Sequence, residues 1–427
     1  IIPPLEYFGK GHGPANEPHR ATVLSLGIAV AIVWAGGLNA IAQVISMFFL
    51  IAYGMINLSA FVEGRAGNPS FRPRFKLFGW PAGLAGAIGC GYAMFKINET
   101  YAVVSMGIAA AVYFGLKGRT HSDWNDAKRG YIFSVTRKNL LMLESGQVDA
   151  KNWRPALMVL THDFELERPL ILSASWIESG RGILSVLEVR NNDGSLQERF
   201  EERNHRMSRL RKLLHKDGIV AFADSVVIKD PYKNFDTILQ SYSIGSLRPN
   251  TLMLAYPPAS KPDRRVCATK IMDAVEAFKL NLVIYKEPVT RGTSKMKTID
   301  LWWAGQSNGS LMAIFAYLAT THDDWISAEI RLLRIVRDES ERANAVAELQ
   351  GLVIASRINM YIGILVSEEP VVDVISETSS VSDLVLLGLS SRDLQNFDSY
   401  LERQDELLSR LPTTLLVHSS GVVDLLA

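Results

Sequence analysis

Among the polar side chains of a long uncharged stretch near the start of the chain, five are the candidates for binding chemistry. They are Asn39, Gln43, Tyr53, Asn57 and Ser59. An uncharged stretch of this length could cross a membrane, where a polar group that faces lipid is costly. Each of the five should therefore face protein or a water-filled path. Hydrogen bonding between helices would satisfy any one of them. Tyr53 is the candidate for a functional role, because a phenol can donate a hydrogen bond to an anion while its ring stays apolar.

The rest of the chain offers few residues with catalytic or metal-binding spacing. Its eight histidines are scattered, and the sequence contains no His-Glu-x-x-His, Cys-x-x-Cys or Gly-x-Ser-x-Gly pattern. His322, Asp323 and Asp324 are adjacent and do not converge on one ion, so a helix cap or a solvated turn is the simpler interpretation. Cys90 and Cys267 are too few for a disulfide framework. We therefore predict no metal site, no cofactor and no enzymatic activity.

Three uncharged stretches predict helices that cross a membrane. The first runs over 42 residues from Ala21 to Val62, and Leu77–Phe95 and Thr100–Leu116 follow it. About 20 apolar residues form one membrane-spanning helix, so the first stretch fits two helices and each of the others fits one. We place these helices near 21–43, 45–62, 77–95 and 100–116. The sequence therefore predicts a multi-pass segment in contact with the lipid bilayer.

Basic residues predict the orientation of these helices. The connection between the second and third helix carries Arg65, Arg72, Arg74 and Lys76 against one acidic residue, Glu63. Loops with a surplus of Lys and Arg stay on the cytoplasmic side. We therefore predict a protein of the cell membrane with both ends of this chain, and all residues after the fourth helix, in the cytoplasm.

The region from 117 to 427 predicts an α/β domain. It holds 38 basic and 40 acidic residues, and without a basic surplus no nucleic-acid partner is predicted. Short β-branched runs alternate with amphipathic helices, a pattern typical of parallel strands with helices on both faces. The strands are predicted at 156–160, 182–189, 219–222, 251–256, 282–285, 330–336, 359–366, 384–388 and 414–417. We expect two consecutive α/β lobes rather than one sheet.

Several motifs resemble those of the cation–chloride cotransporters. The segments Ser46–Leu58 and Pro69–Phe75 resemble the tenth helix of that family and the loop after it. The further matches occur in the same order as in that family. They are Asp123–Gly130, Lys151–Pro155, Leu247–Thr251, Ile299–Trp303, Asp383–Gly388 and Leu411–Val417. The resemblance therefore runs through the membrane segment and the α/β domain.

This resemblance implies an electroneutral symporter of the amino acid–polyamine–organocation superfamily that couples chloride to potassium, with sodium left open. The predicted membrane helices would be helices nine to twelve, at the end of a leucine-transporter-like fold. Tyr53 matches the tenth-helix tyrosine whose hydroxyl donates to a bound chloride. The cytosolic lobes would resemble universal stress proteins and would serve homodimerisation and regulation.

The predicted domains are the transmembrane helices at 1–116, a linker with a scissor-like helix at 117–150, a first lobe at 151–290 and a second lobe at 291–427.

Two other interpretations of the function stay open. One is a membrane-anchored, universal-stress-protein-like sensor that binds nucleotide, although the run Gly388-Leu-Ser-Ser-Arg-Asp lacks the second glycine of that family's phosphate loop. The other is an amino acid permease of the same superfamily, which should lack the signatures at Asn152–Pro155 and Asp300–Trp303.

Overall fold

A computed structural model of the chain describes residues 11, 18–35, 37–66, 79–117, 124–145, 152–243, 247–258, 264–288, 297–389, 397–423 and 425. The chain divides into two units, Ile1–Leu143 and Glu144–Ala427. The basic connection at 67–78, which carries Arg72, Arg74 and Lys76, lies outside the described residues, and so do 146–151 and most of 1–17.

The first unit is helical wherever the structure describes it at length. Its helices are α1 (His19–Ala35), α2 (Leu38–Ala66), α3 (Gly79–Ile97), α4 (Glu99–Lys117) and α5 (Trp124–Ser145), the last of which ends just past the unit boundary. The first four follow the uncharged stretches, because long apolar runs favour continuous helix, and Pro81 in α3 stands in the first turn, where proline is tolerated. Apolar side chains of these helices, for example Val33 and Phe114, are exposed.

One helix among the described residues is long and apolar enough to cross a membrane on length and composition, at Ile41–Arg65 within α2. Shorter apolar helices lie at His19–Val30 and Glu99–Phe114. The 29 residues of α2 span about 43 Å at 1.5 Å per residue, which exceeds the hydrocarbon thickness of a bilayer.

Small residues determine how α2 and α3 pack. A Cβ added at Gly83 would approach the backbone of Asn57 and Phe61, and one added at Gly86 would overlap the Asn57 side chain. The two helices therefore approach as closely as the glycines allow, which is the usual way helices associate in lipid. Arg65 lies over the Trp80 ring at 5.4 Å and closes the same contact near the end of α2.

The second unit is an α/β domain built on one sheet. In chain order its elements are β1 (Ala156–Thr161), α6 (Arg168–Glu178), β2 (Ile183–Asn191), α7 (Leu196–Lys216), β3 (Phe222–Ile228), α8 (Phe235–Ser241), β4 (Thr251–Ala255), α9 (Arg264–Ala277), β5 (Asn281–Lys286), β6 (Thr298–Trp302), α10 (Gln306–Thr320), β7 (Glu329–Val336), α11 (Glu339–Ser356), β8 (Tyr361–Val366), α12 (Val371–Ser379), β9 (Leu384–Gly388), α13 (Phe397–Arg410) and β10 (Thr413–His418).

The sheet has ten strands in the order β3-β2-β1-β4-β5-β10-β9-β6-β7-β8. Strands β1–β5 lie in the order 3-2-1-4-5, and β6–β10 repeat that order in the opposite direction. Every pairing within each half is parallel, whereas β5 and β10 pair antiparallel. The unit is therefore two copies of one doubly wound half joined edge to edge.

The junction has approximate twofold symmetry. Ile284 and Leu416 pair with each other across it, and each is the fourth residue of its six-residue strand. A pairing that maps each strand onto its equivalent is the arrangement of a symmetric dimer interface. Here it occurs between two halves of one chain.

Helices cover both faces of the sheet. On one face α6, α7, α10 and α11 share a continuous apolar core that includes Leu170, Leu210, Phe315 and Leu349. On the other face the core is divided between the halves, with α8 and α9 over the first and α12 and α13 over the second. Strands buried on both faces read as unbroken apolar runs, as in Leu384–Gly388.

The predicted fold class is confirmed: a helical segment comes first, and an α/β domain made of two halves with the same strand order follows. The expectation of lobes with separate sheets is wrong, because β5 and β10 pair and make one sheet.

The strand predicted at 219–222 is also misplaced. Strand β3 begins at Phe222, and Gly218, with a positive φ, follows the end of the preceding helix. Strand β6 was not predicted, because Asp300 interrupts its apolar run. The boundaries proposed for linker and lobes stay predictions.

Candidate functional site

Tyr53 lies in the middle of α2, within the long apolar helix. Its ring stacks on that of Phe49, one turn earlier, at 6.4 Å between centroids. The side chain is 57% exposed in this unit, so the phenol projects from the helix surface and is available to a neighbouring helix or to an ion. Its role in chloride binding stays a prediction.

Two of the other polar residues of this stretch take part in helix packing. Asn57 Nδ2 donates to the carbonyl oxygen of Tyr53 at 2.9 Å, and its side chain fits against Gly86. Gln43 Oε1 accepts a hydrogen bond of 3.2 Å from Asn98 Nδ2, just before α4. These contacts give Gln43 and Asn57 the structural role that the cost of polar groups in lipid demands.

In the α/β unit, the first half holds a cavity of about 200 Å³ at the carboxyl ends of its strands. It lies where the chain order reverses between β1 and β4, the position at which open parallel sheets bind ligands. Helices α8 and α9 cover it. Its lining is mostly apolar and includes Val189, Phe235, Ala268, Ile271 and Ile284.

A small polar network lies at one side of this cavity. The Thr161 hydroxyl donates to Glu167 Oε2 at 2.6 Å, and the backbone N–H of His162 donates to the same oxygen at 3.0 Å. The His162 ring is held by the Val189 carbonyl at 3.3 Å through Nδ1 and by the Tyr232 hydroxyl at 3.3 Å through Nε2. Glu167 is thereby fixed at the cavity wall by the loop that leaves β1.

Behind Tyr256, a lining residue of the cavity, lies an ion pair. Arg264 binds both carboxylate oxygens of Asp405 at 2.7 Å, and the Tyr256 hydroxyl donates to Asp405 at 2.8 Å. The hydrogen bonds from Arg264 and then Tyr256 outweigh burial and hold the pKa of Asp405 below its usual value, and the hydrogen bond to Asp405 raises the pKa of Arg264. Since Arg264 begins α9 and Asp405 lies on α13, this pair links the two halves.

In the second half, Asn308 of α10 bridges the residues that follow β9 and β10. Asn308 Nδ2 donates to the Leu389 carbonyl at 2.8 Å, and Asn308 Oδ1 accepts from the Ser419 N–H at 2.8 Å. Its side chain also lies against Gly388. The glycine-containing run that begins at Gly388 continues into 390–396, outside the described residues. Within the described residues, Asn308 thus occupies the Ser419 N–H, a donor that a phosphate could otherwise use.

The sequence placed the acidic cluster at His322 correctly as a cap. His322 Nδ1 accepts from the N–H of Asp324 at 3.2 Å, at the start of a 3-10 turn. The cavity and its network were not predicted, because Tyr232 lies 70 residues after His162 and the covering helices come later still in the chain. A detectable signal was the polar pair formed by Thr161, the last residue of β1, and His162 directly after it.

Comparison with known proteins relates both units to transporters. The sequence profile of the amino acid permease family matches residues 1–159. Cation-chloride cotransporter 2 and cation-chloride cotransporter 1 of Oryza sativa subsp. japonica are each 28% identical over 367 residues, covering 82% of this chain. The chain spans only 36% of the length of each. The predicted resemblance to the cation–chloride cotransporters is confirmed.

Two solved structures are similar to the α/β unit. The cytoplasmic domain of a prokaryotic cation chloride cotransporter is 17% identical, with a TM-score of 0.46, over 64% of this chain and 99% of that domain. A universal stress protein from Archaeoglobus fulgidus DSM 4304 is 10% identical, with a TM-score of 0.44, over 63% of this chain and 98% of that protein.

Proposed function

We propose that this chain is the C-terminal part of an electroneutral secondary transporter that couples chloride to potassium, with or without sodium. Transport, rather than a chemical reaction, is its activity. The observation that carries the proposal is the similarity to two cation-chloride cotransporters over 82% of the chain, which takes in both the membrane helices and the α/β unit. The match of residues 1–159 to amino acid permeases fits the shared membrane fold.

The membrane part of the proposal is that α1–α4 all cross the bilayer. Helix α2 has the length and composition of a membrane-spanning helix. Helices α3 and α4 each have 19 residues, about 28 Å of helix, which is close to the thickness of the hydrocarbon core. An even number of crossings leaves both ends of the chain on one side, and the basic connection after α2 makes that side the cytoplasm.

Tyr53 is the proposed chloride ligand. Its hydroxyl would donate to the anion while its ring stays against Phe49 in an apolar helix. Replacing Tyr53 by Phe keeps the ring and removes only the hydroxyl. A hydrogen bond to a charged partner contributes about 1.5–3 kcal/mol, which corresponds to roughly a ten- to hundredfold loss of chloride affinity.

The test measures transport by the full-length protein against chloride concentration. Tyr53→Phe should raise the half-saturating chloride concentration about tenfold or more, with unchanged expression and membrane insertion. Tyr92→Phe is the matched control, because Tyr92 is an exposed tyrosine on the adjacent helix α3 and should not change chloride dependence. An unchanged half-saturating concentration in the Tyr53 variant would refute the ligand assignment.

The α/β unit is proposed to serve homodimerisation and regulation on the cytoplasmic side. Its near-balanced charge and its large two-faced core support a folded domain rather than a flexible tail. Sedimentation of the detergent-solubilised chain should give the mass of a dimer. A monomer at high micromolar concentration would contradict this part of the proposal.

A further inference from the structure

We propose that the cavity of the first half binds an uncharged bicyclic aromatic molecule with one N–H donor, an indole in the simplest case. The site consists of the cavity between α8, α9 and the sheet, together with Glu167 at its wall. It does not depend on the transport activity proposed above. The inference comes from the size, the lining and the charge of the site.

The size of the cavity selects the ligand class. Apolar cavities of about 150 Å³ accept benzene in other proteins. At about 200 Å³, this cavity has room for a second fused ring. Three aromatic side chains, Tyr232, Phe235 and Tyr256, are part of the lining, and aromatic rings gain from stacked or edge-to-face contact with each other.

One carboxylate oxygen provides the polar contact. Thr161 and His162 both donate to Glu167 Oε2, so within the described part of the chain Oε1 accepts no hydrogen bond. The loop after β1 therefore holds the carboxylate in one orientation and leaves its second oxygen for a ligand. A ligand N–H can satisfy that oxygen, whereas a ligand with acceptors alone cannot.

The same features disfavour phosphate-bearing ligands. Among the described residues that line the cavity there is no Lys or Arg. Pro257 and Pro258 follow β4 at the position where phosphate-binding loops offer backbone N–H groups, and proline has none. The Glu167 carboxylate would also repel a phosphate. The cavity thus suits a neutral ring and not a nucleotide.

The test titrates indole, benzofuran and ATP into the full chain in lipid nanodiscs, with empty nanodiscs as the blank for partitioning into lipid. Benzofuran matches indole in shape and lacks the N–H. Indole should bind about ten- to a hundredfold more tightly than benzofuran, because its N–H meets a carboxylate, and ATP should not compete with it. Equal binding of indole and benzofuran, or displacement of indole by ATP, would overturn the proposal.

Two variants locate the binding. Ala268→Phe places a ring in the cavity and should abolish indole binding, whereas Ala277→Phe, at an exposed position of the same helix, should leave it unchanged. Glu167→Gln should reduce the preference for indole over benzofuran to within about threefold. This measurement tests the site independently if the Ala268→Phe chain does not fold. Indole binding that survives in a folded Ala268→Phe chain would refute the site.

Discussion

Arg331→Ser should be among the most destabilising substitutions in the α/β unit. Asp300 is fully buried in β6, and Arg331 of β7 binds its two carboxylate oxygens at 2.6 and 2.7 Å. The Ser379 hydroxyl also donates to this carboxylate, at 2.6 Å, and itself accepts from the Trp302 indole N–H. Without Arg331, a buried carboxylate keeps only neutral donors.

The magnitude follows from the cost of a buried unpaired charge. Removing one member of a buried ion pair costs about 3–5 kcal/mol, whereas replacing both by apolar or neutral groups is often nearly neutral. The first half shows which neutral pair the fold accepts, because Met158 and Ser185 pair at the equivalent register position. Asp300→Met combined with Arg331→Ser should therefore be more stable than Arg331→Ser alone.

The assay is thermal unfolding of the chain followed by tryptophan fluorescence, since Trp302 and Trp303 lie beside the pair. For a domain of this size 1 kcal/mol shifts the midpoint by about 2–4 °C, so Arg331→Ser should lower it by roughly 6–20 °C. The double variant should have a midpoint at least about 4 °C above that of Arg331→Ser. This figure is set low because the double variant also removes the Asp300 acceptor of the Ser379 and Ser382 hydroxyls, which costs some stability. If Arg331→Ser lowers the midpoint no more than the double variant does, the reasoning is refuted.

Two further predictions concern helix packing and pH. Gly86→Leu should destabilise the membrane unit by about 1–3 kcal/mol, because the new side chain would overlap Asn57. Gly89→Leu, at a position with open space, should not destabilise it. Size-exclusion profiles in detergent after heating would measure both variants, and equal profiles would contradict the packing. The Arg264–Asp405 pair should stabilise the fold at pH 7 and lose this effect in acid. The pKa of Asp405 is lowered in the folded state, so its contribution is complete above the unfolded pKa, about 4, and falls as pH drops through the folded pKa. Asp405→Asn should therefore lower the melting temperature at pH 7 and do so less at pH 3, and a difference independent of pH would contradict the assignment.

The sequence predicted the elements whose signal is local. The uncharged runs located α1 to α4, because an apolar stretch of sufficient length has few alternatives to a helix. Most strands were found from β-branched runs. Strand β6 was not, because the charge of Asp300 is satisfied by Arg331 on another strand, and no local pattern shows that partner. The single sheet was missed for the same reason, since the pairing of Ile284 with Leu416 joins residues far apart along the chain.

The candidate site was less predictable than the fold. Tyr53 could be singled out because its phenol can donate to an anion and because it matches the tenth-helix tyrosine of the family that the chain resembles. Glu167 could not, because its meaning depends on the cavity that α8 and α9 form above the sheet. In the sequence, Asn308 likewise looks like an ordinary polar residue in the first turn of a helix. Only the folded chain shows that it bridges Leu389 and Ser419.

The position of β10 has a consequence for how the protein is made. This strand is the last of the ten along the chain and yet lies at the centre of the sheet, between β5 and β9. At a synthesis rate of roughly 5–20 residues per second, β5 waits several seconds with an unpaired edge before β10 leaves the ribosome. Such an edge is a template for pairing with another nascent chain. Premature termination before Thr413 would make this exposure permanent.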